Sequence, residues 1–289
     1  MKNQADADSP GAGESMQSKT ERDYILGTND EEVIRLGSQH RVWRPVVSKL
    51  WWKAGITVRK RVLDLGAGPG YAAIDLAEIV GSAGEIVAVE RSSKFISVMK
   101  EACRSRRLTQ VQIRELDLMT DDLPKAAYDF SWCRWVLSFV SDPALLIKKL
   151  AAVMPIGSIA IFHEYGHYLT WRFSPRRPKL ERFAEKVSES WRASGGDPDV
   201  ALNLPPILSS NGFTIRLAVP RIYCVRPSDY MWQWPAAFIE SGPARLQELG
   251  YVDKAFVNQV KAEFAEAAKD PDSRMITPLV LEIVAERTG

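Results

Sequence analysis

Cysteine, histidine and long apolar runs are all scarce in this chain, and each scarcity removes a class of protein. The three cysteines, Cys103, Cys133 and Cys224, are scattered without metal-ligand spacing. A sparse, odd set fits a reducing compartment and argues against both a disulfide framework and a zinc site. No stretch approaches the ~18 apolar residues of a membrane span, and the opening residues are polar rather than signal-like. A cytoplasmic protein with no membrane partner is expected. One-sided charge is also missing: 38 Lys and Arg stand against 36 Asp and Glu. That balance gives no electrostatic reason to expect nucleic acid.

What the chain does contain is enough apolar material, 46% of 289 residues, for a large core. Residues 1–22 are polar and small, cannot offset their ordering entropy, and read as a disordered tail. From Asp30 to Ala54, Val33, Leu36, His40, Trp43, Val47, Leu50 and Trp51 recur at helical spacing. Asn29 or Asp30 is placed to cap the start and Gly55 to end it. A regular alternation follows. Strands are expected at Arg61–Leu65, Glu85–Val89, Gln110–Arg114, Tyr128–Trp132 and Ser158–Phe162, with helices at Gly70–Val80, Ser92–Arg104 and Pro143–Val153. Short apolar runs separated by helical patterns imply parallel strands with right-handed crossovers. Beyond Tyr168 the rhythm breaks. A helix at Leu202–Ser210, a strand at Phe213–Val219, a largely helical stretch at Pro227–Ala268 and a closing strand at Arg274–Ala285 are read there.

The central motif is Val62-Leu63-Asp64-Leu65-Gly66-Ala67-Gly68-Pro69-Gly70, which leaves a strand and opens a helix. In open parallel sheets ligands bind beyond the carboxyl ends of the strands, so the position is functional before its chemistry is known. A dinucleotide fingerprint needs G-x-G-x-x-G. Here the third position falls on Tyr71, and Gly70 comes one residue early. Asp64 would repel a pyrophosphate and suit an ammonium group. The motif therefore favours a phosphate-free ligand such as the methionine part of S-adenosylmethionine over NAD.

On these residues the sequence resembles the class I S-adenosylmethionine-dependent methyltransferases, most closely from about Arg61 to Glu164. The resemblance implies an α/β fold, a doubly wound seven-stranded mixed sheet of the Rossmann-like methyltransferase type, with helical cap insertions. It implies that Asp64, Gly66, Ala67, Gly68 and Gly70 bind the cofactor. Glu90, about 20 residues after the loop, would accept from the ribose hydroxyls with Arg91 beside it. Asp117 and Leu118 would meet adenine, although a turn-capping Asp117 is the alternative. Arg134 and Trp135 would lie at the methionine end, and Tyr24 in a segment closing over the cofactor. Pro155-Ile156-Gly157 stands where the family commonly has Pro-Gly-Gly.

Methyl transfer is an in-line displacement in which the cofactor supplies the difficult chemistry and the protein supplies placement. Candidate bases cluster after the fifth strand: His163, Glu164, Tyr165 and His167, with His163, His167 and Glu164 carried forward as the catalytic set. Trp171, Trp191, Trp232 and Trp234 fall in the inserted regions and could line an organic pocket or form the cap's own core. The expected organisation is a tail at 1–22, a helical lid at 23–56, a cofactor-binding core at 57–167, cap insertions at 168–196 and 227–272, more core at 197–226, and a final strand at 273–289. The expected activity is methylation of a small organic molecule, at oxygen in preference to nitrogen or carbon, by a monomer or homodimer without a metal. An NAD-dependent oxidoreductase and a non-catalytic cofactor-binding module are the rivals.

Overall fold

A computed structural model describes residues 26–289. Its first helix, α1 (Asp30–Ala54), begins where the Asn29 side chain accepts from the Glu32 N–H. It ends at Gly55, whose φ of 97° lets its N–H reach the last carbonyls. The alternation that follows comprises β1 (Arg61–Leu65), α2 (Tyr71–Val80), β2 (Glu85–Glu90), α3 (Ser93–Ser105) and β3 (Val111–Glu115). Next come β4 (Phe130–Arg134), α4 (Pro143–Val153) and β5 (Ile159–His167). The remainder holds β6 (Arg172–Ser174), α5 (Pro178–Ala193), α6 (Leu204–Ser210), β7 (Phe213–Arg221) and β8 (Cys224–Val225). It closes with α7 (Gln233–Glu248), α8 (Lys254–Lys269), β9 (Arg274–Ile276) and β10 (Leu279–Arg287).

Seven strands form one mixed sheet in the order β3-β2-β1-β4-β5-β10-β7, with β10 antiparallel to both neighbours. The chain turns from one side of the sheet to the other between β1 and β4, and that switch point opens a crevice at their carboxyl ends. Strand alternation divides the core. Val62, Ile86, Ala88, Phe130 and Trp132 face α1, α2 and α3, while Leu63, Leu65, Val87, Val89 and Cys133 face α4 and α6. A third apolar body lies at the carboxyl edge. There Trp43 of α1 joins Phe183 and Trp191 of α5, Trp234 and Phe238 of α7 and Phe264 of α8 in one cluster, with Trp135 and Tyr165 reaching it from the sheet.

Three expectations needed correction. β5 runs on to His167 because β10 pairs with it along its whole length, so the residues expected after the strand lie within it. β4 sits two residues later than read, ending at Arg134 rather than Trp132. The closing strand is two strands separated by Thr277 and Pro278, and β9 joins β6 and β8 in a small antiparallel sheet. Strands of two or three residues are too short for alternation to register in sequence.

Candidate active site

The loop between β1 and α2 is shaped by its glycines for two different reasons. Gly68 has φ of 58° and nothing within 4 Å of where a Cβ would stand, so it faces open space. Gly70, φ 86°, has the opposite surroundings: a Cβ there would run into the Met99 side chain, so its absence lets α3 pack against the loop. Ala67 donates to the Val89 carbonyl at 2.9 Å and tethers the loop to β2. Gly66 lies against Val136, from which a Cβ would be 2.5 Å away.

Asp64, at the head of this loop, is buried, and its Oδ2 has no hydrogen-bond partner. Burial raises its pKa to about 7, against the pull of the nearby Arg134 guanidinium. Arg134 ends β4, partly buried, with its Nη1 enclosed and also without a partner. Burial brings its pKa down to about 10, with Asp64 as the leading opposing charge. A lone acceptor and a lone donor thus stand at one end of an open glycine cradle. They complement the ammonium and carboxylate of an amino acid, and these residues fit S-adenosylmethionine.

Glu90 braces the loop. Its Oε2 accepts from the Gly68 N–H at 2.8 Å, and its Oε1 accepts from the N–H groups of Arg91 and Ser92 at 2.9 and 2.8 Å. Burial raises its pKa, with those three bonds working the other way. Arg91 reaches Asp117 at 3.6 Å. Asp117 caps its own loop by accepting from the Met119 N–H at 2.8 Å, and Leu118 is buried against the α4 side. Lys149 of α4, which sequence reasoning passed over, donates to the carbonyls of Leu118, Met119 and Asp121 and pins this loop. Tyr24 lies outside the described residues.

The residue after Arg134 is the most constrained in the site. Trp135 has φ of 51°, a left-handed backbone that bulky side chains rarely adopt. Its N–H donates to the His163 carbonyl at 3.1 Å. The turn beyond it is held by Glu164, whose Oε1 accepts from the N–H groups of Val136 and Leu137 at 2.8 and 3.1 Å. The Oε2 accepts from the Ser138 N–H and hydroxyl. Burial lifts the Glu164 pKa to about 7 in spite of these bonds.

The expected catalytic set therefore does not converge. Alternation along β5 sends His163, Tyr165 and His167 to one face and Glu164 to the other. Glu164 has both oxygens committed to the turn. His163 is sealed, with no exposed surface, beneath Trp43 at 4.7 Å and Trp135 at 5.0 Å. Its closest charged neighbour is Glu282 at 3.5 Å, and burial drives its pKa down to about 4. His167 lies at the outer end of the strand, half exposed, 3.6 Å from Asp199. Tyr165 alone of the four lines the cavity beside the loop.

That cavity is walled by Trp135, Tyr165, Tyr168, Trp171, Trp191, Trp234 and Phe238. Trp135, Tyr165 and Trp234 lie nearly parallel, with centroids 5.6 to 6.3 Å apart. Its polar pole comes from α1. Arg35 is gripped by both Glu32 oxygens and donates to Gln39, which also accepts from the Trp234 indole N–H at 3.2 Å. The cavity is narrow, about 30 Å³, well below the ~300–1,000 Å³ of ordinary ligand pockets. Arg35 and Trp234 come from elements some 200 positions apart, so only the fold brings them together. A buried-stripe Arg and Gln on α1 were the available signal. Among the described residues no helix is long and apolar enough to cross a membrane.

Comparison with known proteins agrees with this geometry. The family model for the methyltransferase domain matches residues 56–201, just over half of the chain. The 2-phytyl-1,4-naphtoquinone methyltransferase of Synechococcus elongatus is 27% identical over 155 residues, 53% of this chain and 61% of that protein. The demethylmenaquinone methyltransferase of Staphylococcus aureus is 28% identical over 123 residues, 43% of this chain and 49% of that one. The matched segment thus spans less than two thirds of the length of either relative. In fold it is similar to the geranyl diphosphate C-methyltransferase of Streptomyces coelicolor, solved with S-adenosyl-L-homocysteine. The TM-score is 0.55 at 14% identity, covering 86% of this chain and 77% of that one.

The chain belongs to the methyltransferase-domain family. Within it the seven-stranded mixed sheet and the glycine loop mark the class I, S-adenosylmethionine-dependent type. The dinucleotide-dependent oxidoreductase considered from the sequence is set aside by that membership.

Proposed function

We propose that the protein methylates an oxygen of a neutral, planar small organic acceptor held in the aromatic cavity. The observation that carries this reading is that Trp135 belongs to both halves: its backbone leaves the cofactor crevice and its indole walls the cavity. Asp64 and Arg134 would hold the amino acid end of S-adenosylmethionine, Glu90 the ribose, and the Asp117–Leu118 loop the adenine. The cofactor supplies a sulfonium methyl whose leaving thioether is neutral. The chain contributes placement, a dry environment and alignment, which together can account for much of a methyl-transfer rate.

The cavity's charges cancel, since Arg35 is paired with Glu32, and its walls are stacked rings. Such a lining favours an uncharged flat molecule. The naphthoquinone- and menaquinone-type enzymes among its relatives carry names of the same chemical character. None of His163, Glu164 or His167 reaches the cavity, so the proton on the acceptor must leave without them. Phenolic or enolic oxygens acidified by their own ring system meet that condition. Admitting a bicyclic acceptor requires the rings of α5 and α7 to part from Trp135 and Tyr165, given the cavity's present size.

Incubation with isotope-labelled S-adenosylmethionine and a panel of hydroxylated naphthoquinones and aromatic polyketides tests the reading. Carbon NMR of the products distinguishes methyl on oxygen, nitrogen or carbon. A methoxyl signal is expected. A methyl on carbon would overturn the choice of atom, and cofactor binding without any transfer would leave the non-catalytic module that the narrow cavity also suits.

A further inference from the structure

His40 links the cofactor crevice to the helix that closes the acceptor side. Its Nδ1 lies 3.0 Å from Arg134 Nη2, and its Nε2 lies 3.0 Å from Asp75 Oδ2. A guanidinium can only donate and a carboxylate only accept, so the tautomer follows: Nδ1 accepts from Arg134 and Nε2–H donates to Asp75. Arg44, one turn further along α1, donates to the same Asp75 oxygen at 2.7 Å. Asp75 sits in the apolar run of α2. Burial alone would raise its pKa, but the bonds from His40 and Arg44 hold it below the ordinary value.

The ring is held sideways as well. His40 stacks on Tyr71 at 5.8 Å and 20°, and the Tyr71 hydroxyl donates to the Val33 carbonyl at 2.9 Å. Gly37 makes room for this, since a Cβ there would stand 2.8 Å from that hydroxyl. The groups facing His40 are therefore Arg44 on its own helix, Asp75 and Tyr71 on α2, and Arg134 on β4, with Asp64 of β1 beyond Arg134. Both ring nitrogens and one face of the imidazole thus have defined neighbours.

We propose that His40 is a positioning residue for cofactor capture: in its neutral form it holds Arg134 toward Asp64 and the carboxylate of the cofactor's methionine end. This rests on the assignment of Asp64 and Arg134 made under the proposed function. Protonation converts Nδ1 from acceptor to donor, sets two N–H groups against each other and releases Arg134. Burial, aided by the charges of Arg134 and Arg44, already places the imidazole below its ordinary 6.5. The sign follows: binding favours neutral His40, so affinity is lost as pH falls through the pKa of the free protein.

Calorimetric titration of the full chain with S-adenosylhomocysteine, from about pH 5.5 to 8.5, tests this by proton linkage. H40A is expected to weaken binding about tenfold at neutral pH, the effect of losing one charge-assisted bond. In H40N the amide oxygen can take the place of Nδ1, so binding should return to within about threefold of the parent protein. The parent's affinity should fall more steeply in acid than that of H40N, which keeps only the Asp64 titration. H40A and R134Q should not add when combined, because both break one contact. A merely structural His40 would give additive losses and an H40N acid profile identical to the parent's, and either result overturns the inference. Should H40A fail to fold, as judged by its melting transition, H40N and the acid profile decide alone. If the unmutated protein ignores S-adenosylhomocysteine at every pH, the functional reading itself falls and takes this inference with it. If it binds normally and the variants match it, only the inference falls.

Discussion

The cofactor half and the acceptor half of this molecule are built from different materials. The cofactor crevice is made of backbone and a few local side chains drawn from one continuous alternation, β1 to β4. The acceptor cavity is made of large rings brought from the turn after β4, from β5, α5 and α7, with Arg35 and Gln39 of α1 as its polar pole, so its parts are scattered over some 200 positions. A crevice of the first kind specifies its ligand by hydrogen bonds and exact placement. A cavity of the second kind specifies mainly shape and polarity, and it can change occupant by exchanging rings without disturbing the loop.

Damage to one half should leave the other nearly intact. Gly68→Val should have the largest effect. A β-branched residue in a left-handed position costs about 1–2 kcal/mol, and the side chain would also fill the open cradle. Cofactor affinity by calorimetry should fall more than about 100-fold while melting changes little by comparison. Asp64→Asn comes next. Losing one charge-assisted bond of about 1.5–3 kcal/mol should weaken binding about 10- to 100-fold. The parent's affinity should also decline as pH drops below about 7, since the cationic ligand favours an ionised Asp64 whose free pKa is raised to that value. The Asn variant should lose that component of the pH dependence.

Trp234→Phe reverses the pattern. Steady-state kinetics should show KM for the acceptor rising several-fold, while cofactor affinity stays within about threefold, because one ring and the bond to Gln39 are affected. Glu164→Gln tests the hinge between the halves. Its amide keeps one acceptor oxygen and sets an NH2 in place of the other, opposite N–H groups of either Val136 and Leu137 or Ser138, and a thermal melt should show a loss of about 1–3 kcal/mol. His167→Ala should have the smallest effect, under about twofold on turnover, for a half-exposed side chain outside the cavity. A large fall in kcat with unchanged binding would return His167 to the mechanism.

Legibility in the sequence followed the same division. Helix α1, the caps Asn29 and Gly55, the switch-point loop and the first three strands were readable within a residue because each is a local pattern of period 2 or 3.6 with its own punctuation, while β4 and β5 were found with shifted bounds. Asp64 stood out as an acid before glycines. On the acceptor side only the inserted tryptophans were readable: Trp171, Trp191 and Trp234 wall the cavity, while Trp232 packs in the cap's own core. His163, Glu164 and His167 looked like a cluster because they are neighbours in sequence, and a strand separates neighbours onto opposite faces. Conversely, Arg35, Gln39, Tyr165 and Trp234 converge although nothing local connects them. His40 registered only as one member of an apolar stripe. The signal that could have found its role was Asp75, an acid flanked by Ile74 and Leu76 in the helix Tyr71–Val80, where it needs a buried partner.

Trp43 touches Trp135, His163, Tyr223 and Trp234 edge-on, with centroids between 4.7 and 5.8 Å. Indoles at that spacing share their electronic transitions, so the cluster should give an exciton couplet in ultraviolet circular dichroism. A molecule pressing on Trp135 and Trp234 from the cavity would move them relative to Trp43 and weaken the couplet, and the protein thereby carries its own optical gauge of acceptor occupancy, readable without a label.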